Sequence, residues 1–314
     1  MGQDSNIEWT HHTFNPWMGC TKVSAGCTNC YAENLMDTRY GKVKWGDNGT
    51  RVIKKDWSEP RKWNKLAAAA GERHRVFCAS LADVFEDRPE FVAPRARLFE
   101  LIAATPHLDW LLLTKRPQNI IRLWPGTGSV PAKTIEVGGH AVLPNVWLGT
   151  SVENQATADE RIPHLLRVPA AVRFLSVEPL LGAVSLNALG TGCVLEVVGQ
   201  RTKPVIIDCL SGNAMNDQRE WRRIDWVIVG GESGAKARPC DIAWVRSIVE
   251  QCKAANVPCF VKQLGSRPLF DPPSEKRRQL GSYLHNINDR KGGHMAEWPE
   301  DLRVRELPGK QVPA

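Results

Sequence analysis

The sequence lacks any run of about 18 consecutive apolar residues, so no membrane-spanning helix is expected. Its opening, MGQDSNIEWTHH, has neither a basic n-region nor an apolar h-region, and reads against a secretory leader. Met-Gly does not complete a myristoylation motif, because Asn6 stands where Ser or Thr is required. The nine cysteines are an odd number, and with no export signal they fit a reducing compartment better than a disulfide framework. A cytoplasmic monomer is the expectation. No internal repeat is visible beyond a recurring strand–helix cadence.

The chain has 314 residues, enough for one large domain or two ordinary ones, and an α/β barrel is a natural solution at this size. Hydrophobic residues make up 42%, sufficient for a sizeable core. The net charge of +7 permits contact with a polyanion. Its basic clusters, such as 51–55 and 276–278, read individually as solvated surface. The twelve tryptophans are candidates for base stacking or for core packing.

A repeated grammar runs along the chain: a short apolar run, a polar cluster, an amphipathic helix. The runs are RVFCAS (75–80), LDWLLLTK (108–115), NVWLGTS (145–151), VRFLSVEP (172–179), IDWVIVGG (224–231) and VPCFVKQ (257–263). Continuous apolar runs between helices predict parallel strands buried on both faces. With IEWTHHTFNPW as a first strand, about six to seven parallel strands are expected, in an α/β fold of the partial or complete TIM-like (β/α) barrel type. Residues 42–64 read as a polar excursion and YAENLMDTRYG as a helix stopped by Gly41. Segments 125–143 and 186–222 read as loop insertions, within a barrel over 1–265. Residues 266–314 read as an extension packed on that barrel.

Active faces of such barrels lie at the carboxyl ends of the strands. Those ends carry Ser80 and Asp83; Thr114, Lys115 and Arg116; Ser151 and Glu153; Ser176 and Glu178; Glu232; Lys262 and Gln263. Any one of them is also an ordinary loop residue or helix cap. After the first strand comes NPWMGCTKVSAGCTNCYAE (15–33), with Cys20, Cys27 and Cys30 in a C-x6-C-x2-C array. Three thiolates can hold three irons of a [4Fe–4S] cluster and leave the fourth open. Two alternatives stand beside that: a zinc loop completed by His11 or His12, and unligated cysteines.

At this loop the sequence resembles radical S-adenosylmethionine (SAM) enzymes. NPWMGC…CTNCYA is similar to the cluster loop of spore photoproduct lyase and of DNA-repair-photolyase-like proteins. SLADVFE and LLLTKRP are similar to the stretches those relatives carry next. The closest resemblance is to a family of uncharacterised phage and bacterial proteins known by a three-cysteine motif. Its signatures stand here as WLLLTKRPQN, VWLGTSVEN, RFLSVEPLLG, WVIVGGESGAKARP, VPCFVKQLG and EWPEDLRVR. The array departs from the usual radical-SAM pattern: six residues separate Cys20 from Cys27 instead of three, and Asn29 replaces an aromatic residue.

The resemblance implies a barrel of the radical SAM type with a [4Fe–4S] cluster on Cys20, Cys27 and Cys30 and with SAM as cofactor. It implies SAM contacts from Ser80, Asp83, Thr114, Ser151 and Glu153. Catalytic roles would fall to Lys115, Glu178 and Glu232. It implies DNA or a nucleobase as substrate, in repair or modification, and an electron donor such as flavodoxin or ferredoxin. Cys240 reads as a buried structural thiol or a hydrogen donor. The rival functions are a non-catalytic nucleic-acid-binding protein with a structural metal loop, and a radical enzyme of small molecules or peptides.

Overall fold

The structure is a computed structural model that describes residue 5 and residues 7–124, 135–137, 140–194, 204–215, 221–270, 283–284 and 287–309. The chain divides into two compact units, Met1–Thr150 with Val168–Arg173, and Ser151–Arg167 with Phe174–Gly309.

In the first unit, β1 (His12–Thr13) and β2 (Trp17–Met18) lead into the cysteine loop. One helical turn, α1 (Tyr31–Glu33), follows Cys30 and opens into a π-helix over Asn34–Arg39. Gly41, at φ 57°, takes the left-handed conformation that stops the helix where the sequence places its stop. β3 (Val52–Ile53) pairs antiparallel with β2, Trp17 opposite Ile53. The excursion assigned to 42–64 is shorter than expected, because α2 (Glu59–Ala70) already begins at Glu59. Pro60 sits in its first turn, where a missing N–H breaks no helical bond. Trp63 and Ala67, one turn apart, supply its buried face.

Then follow β4 (His74–Cys78), α3 (Val92–Ala103), β5 (Leu108–Thr114), α4 (Ile120–Leu123), a hairpin of β6 (Ile135–Val137) and β7 (His140–Val142), and β8 (Val146–Ser151). β1 pairs with β4, β4 with β5 and β5 with β8, all in parallel. Six of the seven β5 residues are buried, as a strand covered on both faces requires. Parallel pairing brings the carboxyl ends of β4 and β5 side by side, with Cys78 opposite Leu112.

The second unit holds α5 (Gln155–Arg167), β9 (Val172–Val177), β10 (Leu189–Val194), β11 (Pro204–Ile207), β12 (Ala214–Met215) and β13 (Trp226–Gly230). It continues with β14 (Cys240–Asp241), α6 (Ile242–Ala254), β15 (Cys259–Gln263), β16 (Pro268–Phe270) and β17 (Tyr283–Leu284). β13 pairs in parallel with both β9 and β15. Asp241 caps α6, its carboxylate accepting from Ala243 N at 2.9 Å. The segment 287–309 lies along β15: Val261 N donates to Val304 O at 2.9 Å, and the buried Trp298 belongs to it.

The main sheet has seven strands in the order β1-β4-β5-β8-β9-β13-β15. The fold is therefore α/β with a parallel sheet. The expected insertions add no strand to it; their described parts form the β6–β7 hairpin and an antiparallel β10-β11-β12 sheet. The basic cluster at 276–278 lies outside the described residues. Eight of the twelve tryptophans are buried, so they are core and not stacking platforms. Among the described residues no helix is long and apolar enough to cross a membrane.

At the amino end of β4 three histidines pack together. His12 stacks on Trp63 at 4.4 Å between centroids and meets His74 Nδ1 through Nε2 at 3.0 Å. His11 stacks on His74 and accepts the Arg75 N–H through Nδ1 at 2.8 Å. Burial, then Arg75 and His74, lower the His11 pKa from 6.5 to about 4. The unfolded chain therefore binds this proton more readily than the native state does, and stability falls as pH drops from 6.5 towards 4. Urea midpoints measured across that window should decline less steeply in His11→Asn, which keeps an acceptor near Arg75 N. An unchanged slope would show that His11 carries none of the effect.

Candidate functional site

The cysteine loop is tied down at its first thiol. Gly19 has φ 103°, a conformation open to glycine, and a Cβ there would lie 2.7 Å from Thr50 O. Gly19 N donates to Leu81 O at 3.0 Å, which lays the loop over the carboxyl end of β4. Asn15 reinforces this, accepting from Leu81 N at 2.7 Å and donating to Ser80 Oγ at 3.0 Å.

Two guanidinium groups complete the anchor. Arg116, just past β5, donates to Thr21 O at 2.8 Å and to Asp83 Oδ2 at 2.9 Å, and its Nη1 lies 3.6 Å from Cys20 Sγ. Arg51 grips Glu86 with two bonds of 3.0 and 2.7 Å and donates to Thr21 Oγ1 at 3.0 Å. Its side chain is 1% exposed and that of Glu86 5%. Reading Arg51 as part of a solvated surface cluster is thus corrected: the carboxylate facing it makes burial tolerable.

Cys20, Cys27 and Cys30 are all free thiols, half-buried, on this one loop. Burial, and next the Asp83 carboxylate, push Cys20 up to about 12. Burial also raises Cys30. Soft, undisulfided thiols of this kind suit a thiophilic metal or cluster in chemistry. Among the described residues, no three His, Cys, Asp or Glu side chains stand as an ion would need them. His11 and His12 are turned into the cluster at the amino end of β4, whereas Gly19 and Cys20 lie over its carboxyl end.

Asp83 and Thr114, expected to meet a cofactor, meet each other. Asp83 accepts from Phe85 N, Thr114 Oγ1, Lys115 N and Arg116 Nη1 at 2.7–3.1 Å. Four donors fill a carboxylate's capacity. Asp83 therefore orders the turn after β5 and aims Arg116 at Cys20.

A family profile described as "Protein of unknown function (DUF5131)" matches residues 4–295. The chain belongs to the DUF5131 family. No curated protein matches it, and no solved structure does.

In the second unit of this DUF5131 protein the strand ends hold three carboxylates with cationic partners. Glu178, past β9, meets Lys262 Nζ at 3.1 Å and accepts from Ser176 Oγ at 3.4 Å. Gly230 leaves room for it: a Cβ there would lie 2.8 Å from Glu178 Oε1. The pair is partly open, with the Lys262 side chain 26% and that of Glu178 13% exposed. Glu153 is fully buried, with both oxygens within 3.2 Å of Arg161 Nη1, which also donates to Ser151 O. That pair joins α5 to the end of β8. Glu232 takes Arg238 bidentately and also its backbone N–H, closing the loop after β13. Cys240 is buried, and burial pushes its thiol up to about 12, which fits a structural thiol.

Sequence spacing singled out the cysteines and the strand-end residues, Arg116 and Lys262 among them without a stated role, but passed over Glu86 and read Arg51 as surface. The second acid of LADVFED and the arginine of TKRP were the available signals. Glu86→Ala should strand the Arg51 guanidinium without its carboxylate and cost about 3–5 kcal/mol in urea unfolding. It should also speed iodoacetamide labelling of Cys20, located by peptide mass mapping. Wild-type labelling and stability together would refute the anchor.

Proposed function

We propose that this protein is a radical SAM enzyme built on a partial (β/α) barrel, working in the reducing cytoplasm and acting on DNA or a nucleobase. The observation that carries this reading is the loop itself. Three half-buried free thiols in a C-x6-C-x2-C array follow the first strand, and the loop is anchored over the carboxyl ends of β4 and β5. That is the end of a (β/α) unit where chemistry is built.

Cys20, Cys27 and Cys30 would hold the cluster. When bound, a [4Fe–4S] cluster with one open iron supplies the electron that splits SAM into methionine and a 5′-deoxyadenosyl radical. A reduced flavodoxin- or ferredoxin-type donor is the source of that electron. Arg116 places a cation beside Cys20 that offsets part of the upward push of burial and Asp83 on its thiol. Asp83 holds Arg116 in that position. Ser80 lies beside the loop, bonded to Asn15. In the second unit, Glu178, which the resemblance makes a catalytic candidate, pairs with Lys262 and is partly open to solvent. Excess positive charge suits a polyanionic substrate.

Anaerobic reconstitution with iron and sulfide should load about four irons per chain. Dithionite with SAM should then release 5′-deoxyadenosine. Replacing any one of Cys20, Cys27 or Cys30 with Ala should abolish both results. Uptake of one zinc per chain with no SAM cleavage would overturn the proposal in favour of a structural metal loop.

A further inference from the structure

The segment between Cys20 and Lys55 differs from the rest of the molecule in charge and in surface. It holds seven Lys and Arg against three Asp and Glu, an excess of four positive charges out of seven for the whole chain. It also holds Val23, Tyr31, Tyr40, Val52 and Ile53, five of the ten large apolar residues exposed among the described residues.

Two of these are aromatic and lie on the helical segment that leaves Cys30. Tyr31 is 64% exposed and Tyr40 51%. Tyr31 opens α1 and Tyr40 caps the π-helix that continues it. Arg39 and Lys42 stand over the Tyr40 ring at 5.4 and 5.3 Å from its centroid. Lys22 and Lys44 are paired with Glu33 and Asp37. Arg39 and Lys42 form no ion pair among the described residues.

We propose that Tyr31 and Tyr40, flanked by Arg39 and Lys42, form a platform for an unpaired nucleic-acid strand beside the cysteine loop. Every base has a π-face for an exposed ring, and every phosphate a charge for an unpaired cation. An acidic protein surface would satisfy the cations but leave both rings unused, so the strand is the better match. The inference deepens the nucleic-acid part of the function proposed above and needs no bound cluster.

The test is fluorescence anisotropy with a labelled single-stranded oligodeoxynucleotide, and with its duplex, over a salt series. The wild-type chain should prefer the single strand and weaken as salt rises. Tyr31→Ser with Tyr40→Ser should weaken binding by about fivefold or more per stacked base. Tyr31→Phe with Tyr40→Phe should restore it, which a merely unfolded surface would not allow. Lys42→Gln should reduce the single-strand salt slope by about 0.7.

Equal binding by the Ser pair and the wild type would overturn the platform while leaving nucleic acid as partner. No binding by the wild type would overturn the platform and the nucleic-acid substrate together. Iron loading and 5′-deoxyadenosine release report separately on the radical chemistry.

Discussion

Two arginines hold one stretch of backbone, and the first unit is arranged so that they can. Arg51 and Arg116 both reach Thr21, one through its hydroxyl and one through its carbonyl. Removing two guanidinium groups from water is costly, and attraction to one carboxylate each offsets that only where geometry is close. Glu86 and Asp83 provide it at 2.7–3.0 Å. The two acids lie three residues apart in the turn after β4, so a single turn neutralises both cations. That turn must therefore lie beneath the cysteine loop, and the Gly19–Leu81 bond holds it there. The ion network, more than any apolar contact, positions the first thiol.

The strands were legible because parallel strands covered on both faces write their burial directly as continuous apolar runs. Every run from RVFCAS to VPCFVKQ overlaps a strand of the main sheet. The start of α2 was hidden because Trp57, Pro60 and Trp63 read as an irregular polar stretch, while Trp63 and Ala67 in fact face the core. The candidate site was legible in part. Spacing identified which residues follow a strand, but a side chain's direction depends on partners distant in sequence. Asp83 turned to Arg116, 33 residues on, and Glu178 to Lys262, 84 residues on. Glu153 turned inward to Arg161 on the next helix. A strand-end acid thus announces its position and conceals its partner.

The three thiols are held in different ways, and the difference matters for how the loop can take a ligand. Cys20 is fixed electrostatically through Arg116 and the flanking backbone. Cys30 packs against an apolar group of Ala32, Met36, Val43 and Leu81, so its place is set by burial. Cys27 closes a single 3-10 turn, Ala25–Cys27, that contains no buried residue. Local opening is least costly where few apolar contacts must be broken. Two sulfur atoms are therefore anchored to the body of the first unit while the middle one can adjust. The six residues separating Cys20 from Cys27 give that middle thiol its reach, so the longer spacing is compatible with closure around a metal. The two-residue step from Cys27 to Cys30 keeps that thiol close to one packed against the apolar group. Under the function proposed above, the lengthened loop would give a three-point grip by a different division of tightly and loosely packed parts.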